Sequence, residues 1–330
     1  MRNASPSLSR GSSSSWRLCV TERHVTAHTL TLGVIGNPVG HSLSPQLQNA
    51  LLSRLGVNGC YHAFEVKPNE LEKAVRGASA LGFLGLNVTV PFKEQVVPLC
   101  DDITHEAEAL GAVNTLLFKD GRIVGTTTDP LGFLKPLEAR GFELPDKTVV
   151  VLGAGGAARA VIFACAERGV AEIRLLNRTH DKAVRLVRRF RSLFPGVRIE
   201  ACPLLEWGSV SNALENADLI VNATSAGMWP HLERSPLPES VSLPRDALAY
   251  DLVYNPLRTR FLQQAEENGL AIQDGLDMLI YQAIASVEFW LGRQLGDWHG
   301  LARELRPGLE RALEWSSGPP WSVTGKGKDK

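Results

Sequence analysis

The chain has 330 residues, enough for about two domains, and its 44% hydrophobic content can fill two cores. Its 35 Lys+Arg balance 35 Asp+Glu, so no basic excess points to a nucleic acid or an anionic membrane as partner. The five cysteines (Cys19, Cys60, Cys100, Cys165, Cys202) form no Cys-x-x-Cys or Cys/His group, which fits a reducing compartment and speaks against a metal centre, and no apolar run reaches membrane-spanning length.

Residues 1–30 hold seven serines, four arginines and one acid, Glu22. That composition resembles an organellar transit peptide, such as one for plastid targeting. The alternatives are a disordered leader or a start codon assigned too far upstream, and no amphipathic period is visible. A disordered leader over 1–29 and a cytoplasmic location are the expectation.

Residues 32–36 read as a strand. Ser44-Pro45 reads as an N-cap followed by proline at the first helical position, opening a helix to about 55. Residues 60–66 alternate as a strand, 70–81 have a helical period, and 85–90 form a third strand stopped by Pro91. Strands over 115–118 and 122–125 flank the turn Lys119-Asp120-Gly121, and a helix follows over 130–140. This alternation implies an α/β fold.

A second α/β unit starts past residue 145. Thr148-Val149-Val150-Val151-Leu152 is a buried β-branched strand, and Gly153-Ala154-Gly155-Gly156-Ala157-Ala158-Arg159 is a glycine turn running into a helix. Gly153 suits the tight turn, Gly155 lets backbone approach a pyrophosphate, and Ala158 lets the helix pack close to the strand. The free N–H groups and positive end of that helix would face the phosphates. The next strand, 172–177, ends in Asn177-Arg178-Thr179, with Lys182 shortly after. An NAD site usually carries an acid there for the ribose hydroxyl. A guanidinium plus an ammonium instead suits a 2′-phosphate, so NADP is the expected cofactor. Further strands are expected at Ile199, 219–221 and 248–250, and a long apolar helix over 278–291. The end of the chain, rich in Gly, Pro, Ser and Lys, reads as a disordered tail.

A nicotinamide exchanges a hydride, so the proton needs a separate acid/base group. Lys93, after the third strand, and Asp129, ending Gly125-Thr126-Thr127-Thr128-Asp129, are the candidates. Six segments then resemble the shikimate dehydrogenase family over about residues 30–310. They are Gly36-Asn37-Pro38-Val39-Gly40-His41-Ser42-Leu43-Ser44-Pro45, Asn87-Val88-Thr89-Val90-Pro91-Phe92-Lys93, Gly111-Ala112-Val113-Asn114-Thr115, the glycine turn with Asn177-Arg178-Thr179, Asn222-Ala223-Thr224-Ser225-Ala226-Gly227-Met228, and Asp274-Gly275-Leu276-Asp277-Met278-Leu279 with Gln282.

The resemblance implies NADPH-dependent reduction of 3-dehydroshikimate to shikimate in aromatic amino-acid biosynthesis. It implies Lys93 and Asp129 as catalytic pair, Ser42 and Ser44 on the substrate carboxylate, and Thr89, Asn114 and Gln282 on the ring hydroxyls, with Tyr254 as another substrate-side hydroxyl. Gly227 and Met228 resemble residues near the nicotinamide, beside Gly275; Gly153, Ala154, Gly155, Gly156, Ala157, Asn177, Arg178, Thr179 and Lys182 resemble the rest of the cofactor site. A lysine ammonium can hand a proton to a developing alkoxide, and a neighbouring carboxylate favours that charged form. Ser44 has a rival role as helix cap. Where the family usually reads Asn-Thr-Asp-Gly, this chain has Thr127-Thr128-Asp129-Pro130, with proline at a tolerated first-turn position.

The expected architecture is α/β with two domains: an N-terminal substrate domain over 30–128, completed by a returning C-terminal segment over 277–312, and a Rossmann-type NADP-binding domain over 129–276. A tail over 313–330 and a monomer or homodimer are expected. The alternatives to this activity are a quinate/shikimate dehydrogenase with relaxed cofactor use, or a nucleotide-sensing homologue without turnover.

Overall fold

The computed structural model describes residues 25–204 and 207–316; most of the leader and the chain end past 316 lie outside the described residues. Two six-stranded sheets organise the chain. The first holds β1 (Leu30–Gly36), β2 (Gly59–Glu65), β3 (Gly85–Val88), β4 (Asp102–Ile103), β5 (Thr115–Lys119) and β6 (Arg122–Thr126), in the order β2-β1-β3-β5-β6-β4. Its helices are α1 (Ser44–Arg54), α2 (Leu71–Ala80) and α3 (His105–Leu110). Then α4 (Asp129–Ala139) leads to the second sheet: β7 (Thr148–Leu152), β8 (Glu172–Asn177), β9 (Arg198–Pro203), β10 (Leu219–Asn222), β11 (Leu248–Asp251) and β12 (Ala271–Gln273). Between them run α5 (Gly156–Glu167), α6 (His180–Leu193), α7 (Trp207–Leu214) and α8 (Arg260–Glu267); α9 (Leu276–Leu291) and α10 (Trp298–Ser316) close the chain.

Every pairing in the second sheet is parallel, in the order β12-β11-β10-β7-β8-β9. This is the doubly wound arrangement, with strand order reversing between β7 and β10, and ligands bind at the carboxyl ends of strands at such a point. The all-buried run Val149–Leu152 follows from cover on both faces. One face packs under α4, α5 and α6, and the other under α7 and α8.

The first sheet is mixed. Strands β2, β1 and β3 are parallel, whereas β3–β5 and β5–β6 are antiparallel. Asn87 near the end of β3 pairs with Thr115 at the start of β5, and Thr115 pairs with Thr126 at the end of β6. The loops after β1, β3 and β6 and the segment before β5 therefore meet at one edge. Helices α9 and α10 return to this sheet: Ile280, Ile284, Val287, Leu305, Leu309 and Leu313 share a core with Leu32, Val34, Leu47 and Leu51. In contrast, α4 sends Phe133, Leu134 and Leu137 into the second sheet's core, where Phe133 stacks on Tyr250 of β11 with ring centroids 5.2 Å apart.

Three expectations are corrected. The third strand ends at Val88 rather than 90, because Phe92 N–H closes a turn onto the Thr89 carbonyl. Helix α1 is capped by Leu43, not Ser44, which is its first helical residue. The chain stays helical to Ser316 with Leu313 buried, so order extends past the expected tail boundary at 313.

Candidate active site

The catalytic candidates come together at the shared edge of the first sheet. Lys93 Nζ lies 2.6 Å from Asp129 Oδ2. Asp129 opens α4, and a carboxylate is favoured in a helix's first turn. Its other oxygen, Oδ1, accepts from Asn114 Nδ2 at 2.8 Å. Both carboxylate oxygens are thus held, one by a cation and one by an amide.

Behind this pair lies a buried polar chain. Asn114 Oδ1 accepts from Thr128 N–H at 2.9 Å and from Thr115 Oγ1 at 2.9 Å. Asn87 donates to Thr115 Oγ1 at 2.9 Å and to Ser286 Oγ of α9 at 3.1 Å, and accepts from the Tyr61 hydroxyl at 2.7 Å. Every member has partners, as buried polar groups require. Asn114 is buried and donates to Asp129 Oδ1 and Thr128 Oγ1, so it acts on the carboxylate directly. Residue chemistry alone missed Asn87 and Ser286. The signal for Ser286 was a lone serine inside an apolar helical run.

The other residues expected on the substrate side lie on loops and at positions of α1 and α9. Thr89 packs on Gly36 so closely that a Cβ there would lie 2.5 Å from Thr89 Cγ2. The loop after β1 is tied to the loop after β3 by Asn37 N–H to Val90 O at 3.0 Å. Ser42 lies half-buried on that first loop and Ser44 half-buried at the start of α1, and Ser42 Oγ accepts from Ser44 N–H at 3.2 Å. Since Ser44 makes no capping bond, its rival role falls away. Tyr254 reaches over from the second half to pack on the first core; burial pushes its phenol up, while the Leu43 amide facing it works the other way. Gln282 lies on α9 against Gly132 of α4, where a Cβ would come 2.8 Å from both Gln282 Cβ and the Met278 carbonyl oxygen. Its amide donates to Leu279 O at 2.8 Å.

The glycine turn stands at the carboxyl end of β7. Gly153 has φ +106, and a Cβ there would meet Thr224 Cγ2 at 2.9 Å, so the position accepts only glycine. Gly155 and Gly156 are exposed with open space where side chains would be, followed by the unmet N–H groups of α5. This cradle fits a diphosphate. Ala154 and Ala157 are half-buried within the turn, and Ala158 is fully buried. At the end of β8, Asn177 Nδ2 bonds Thr179 O at 2.8 Å. Arg178 and Lys182 are exposed and form no ion pair among the described residues, so both cations are free for a phosphate.

Gly227 (φ +83) and half-exposed Met228 follow β10. Gly275 caps α9 against the Leu252 carbonyl, where no side chain fits. The buried Asp251 ties these loops: it accepts from Thr259 Oγ1 at 2.6 Å, Val253 N–H at 2.9 Å and Asn222 Nδ2 at 3.0 Å. Burial pushes its carboxyl up to about 6 against those three donors. Among the described residues, no group of three or more His, Cys, Asp or Glu could hold a metal ion, and no helix is long and apolar enough to cross a membrane.

Comparison with known proteins agrees with this geometry. Residues 34–116 match the family model of the shikimate dehydrogenase substrate binding domain, and residues 137–248 that of shikimate/quinate 5-dehydrogenase. A Methanopyrus kandleri protein named shikimate dehydrogenase (NADP(+)) is 46% identical over 271 residues, covering 82% of this chain and 93% of its own. A protein of the same name from Moorella thermoacetica is 44% identical, covering 82% of this chain and 90% of its own. Among solved structures, shikimate 5-dehydrogenase from Listeria monocytogenes in complex with shikimate and NAD is 31% identical with TM-score 0.79, covering 86% of this chain and 98% of its own. The Thermus thermophilus enzyme in complex with NADP(H) and shikimate is 39% identical with TM-score 0.74, covering 84% and 99%. Two family models in sequence order, over a fold that sets Lys93 against Asp129, lead to one conclusion: the chain belongs to the shikimate dehydrogenase family.

Proposed function

We propose that this chain is an NADP-dependent shikimate dehydrogenase, reversibly reducing 3-dehydroshikimate to shikimate in aromatic amino-acid biosynthesis. The observation that carries the reading is the Lys93–Asp129 pair, held by Asn114 at an edge rich in hydroxyl and amide side chains. NADPH, when bound, supplies the hydride for the ketone carbon. Lys93 hands its proton to the carbonyl oxygen, which becomes the alcohol, and takes it back in the reverse direction. Asp129 holds the Nζ in place and accepts from the reacting hydroxyl, while Asn114 fixes the carboxylate. Ser42 and Ser44 take the carboxylate, Thr89, Asn114 and Gln282 the ring hydroxyls, and Tyr254 offers a further hydroxyl on the substrate side. A site that matches hydroxyls one by one rejects analogues that leave its polar groups unpaired.

We assign substrate binding to residues 30–128 with 277–312, and cofactor binding to 129–276. Gly153 to Ala157 would hold the diphosphate and Arg178 with Lys182 the 2′-phosphate. Four unpaired cysteines among the described residues support a cytoplasmic location. The test is a matrix of shikimate and quinate, each with NAD and NADP. Shikimate with NADP should give the highest kcat/KM. Preference for quinate with NAD would assign the chain to the relaxed quinate/shikimate class, and no turnover of either would defeat the reading.

A further inference from the structure

The loop that carries Lys93 is gripped from two sides. From its own sheet, Val113 N–H donates to Lys93 O at 2.8 Å, and Val96 N–H to the carbonyl of fully buried Phe92 at 2.9 Å. From the other half, Arg159 Nη1 reaches Glu94 Oε1 at 3.1 Å. Arg159 stands in the first turn of α5, directly after the glycine turn. The residue next to Lys93 is therefore tied to the helix whose N-terminus forms the diphosphate cradle.

Stability does not account for Arg159. A cation in a helix's first turn opposes the helix dipole. Its Nε is buried without a partner, which costs free energy. Its acid is 59% exposed, and ion pairs this open contribute little. A side chain selected for stability alone would turn to water. What the arrangement does supply is position, since it fixes the main chain at 93–94 relative to α5.

A second arginine acts in parallel. Arg189 of α6 donates through Nη2 to Ala109 O at 2.7 Å and Glu108 O at 3.1 Å, and through Nε to Ala109 O at 3.1 Å. These carbonyls end α3, directly before the segment that delivers Asn114. The two helices that open at the cofactor cradle and at Arg178 thus each hold one loop of the acid/base centre.

We infer that Arg159 is a positioning residue for the acid/base step: through Glu94 it sets Lys93 against the cofactor-binding half, and Arg189 does the same for Asn114. The inference rests on the proposed activity for its kinetic test, so a second readout independent of turnover is included. The primary variant is Glu94→Gln, isosteric and largely exposed. With shikimate and NADP it should lower kcat by about tenfold, as expected for a modest misplacement of a reacting group, with KM for shikimate changed by less than about twofold. Arg159→Gln should match it, the double variant should be no slower than the slower single one, and Arg159→Lys should recover part of the rate. Without substrate, amide hydrogen exchange over residues 91–96 should be faster in Glu94→Gln than in wild type. Wild-type kcat and exchange in Glu94→Gln would overturn the inference, as would additive losses in the double variant. A loss confined to KM for NADP would overturn it too, making Arg159 a cofactor ligand. If wild type turns over no shikimate, the activity falls, and the exchange measurement alone decides the brace.

Discussion

Replacing Gly132 with alanine tests whether the approach of α4 to α9 sets the catalytic geometry. The new Cβ would sit 2.8 Å from Gln282 Cβ and from the Met278 carbonyl oxygen. Carbon contacts settle near 3.5 Å, so α4 must retreat by about 0.7 Å. Asp129 lies one turn earlier on the same helix, whereas Lys93 and Asn114 belong to loops of the first sheet. The retreat would stretch contacts of 2.6 and 2.8 Å towards the limit of hydrogen bonding. Overpacking costs about 1–3 kcal/mol, and the gain of about 1 kcal/mol from Gly to Ala inside a helix offsets part of it. Net destabilisation should therefore be only about 0–2 kcal/mol, while misplacement by most of an ångström should lower kcat by at least about tenfold. Gly77 of α2 is the internal control: nothing lies within 4 Å of its Cβ position, so Gly77→Ala should keep full activity and gain up to about 1 kcal/mol. Urea unfolding and steady-state kinetics on both variants suffice. A Gly132→Ala enzyme with wild-type kcat would refute the claim that helix spacing places Asp129.

Lys93→Ala should lower kcat by about 10²–10⁴ with little change in KM, and Lys93→Arg should not restore it, because a guanidinium differs in shape and stays protonated; steady-state kinetics with circular dichroism would show this, and a folded Lys93→Ala enzyme at wild-type rate would remove the lysine from the chemistry. Arg178→Ala should raise KM for NADP far more than for NAD, since only the 2′-phosphate loses a partner; equal effects on both cofactors would contradict the assignment. Asp251 gives a pH prediction. Its carboxyl is raised from 3.8 to about 6 in the folded protein, so its contribution to stability is full below about pH 4 and is lost as pH rises through 6. Between pH 4 and 7, wild type should lose up to about 3 kcal/mol relative to Asp251→Asn in urea unfolding; a constant difference between the two proteins would rule out this titration.

The start of the second sheet was the most legible stretch, whereas β12, α7 and α8 went unread. The β-branched β7, its glycine turn and the boundaries of β8 all follow from local signals: β-branched runs, obligatory glycines and a charged turn. The site was less so. Lys93 and Asp129 are 36 residues apart, and nothing local to either distinguishes it from a surface charge; only the motifs around them did. The bond from Asn87 to Ser286 spans 199 residues and depends on α9 returning to the first sheet, which no window of sequence contains. Helix α10 had a readable signal in Leu301, Leu305, Leu309 and Leu313, spaced four apart, and the tail boundary expected at 313 overlooks it. Ser44 shows the limit of cap rules: Ser-Pro marked the helix start to within one residue but not the residue that caps it.

The return of α9 and α10 to the first sheet also orders the protein's assembly in time. As the chain leaves the ribosome, residues 30–126 complete a sheet whose Leu32 and Val34 face has only α1 for cover. The second sheet can close as soon as residue 273 is made, because its covering helices come from within its own stretch and from α4 before it. The first-made half must therefore wait, with apolar surface open to water and to other chains, until Leu313 has been synthesised. A stop anywhere between 274 and 313 would leave a dinucleotide fold intact beside an unfinished partner. Such a fragment could still hold a nucleotide, yet it would lack Ser286 or the packing behind it and would aggregate through the face that α9 and α10 normally seal.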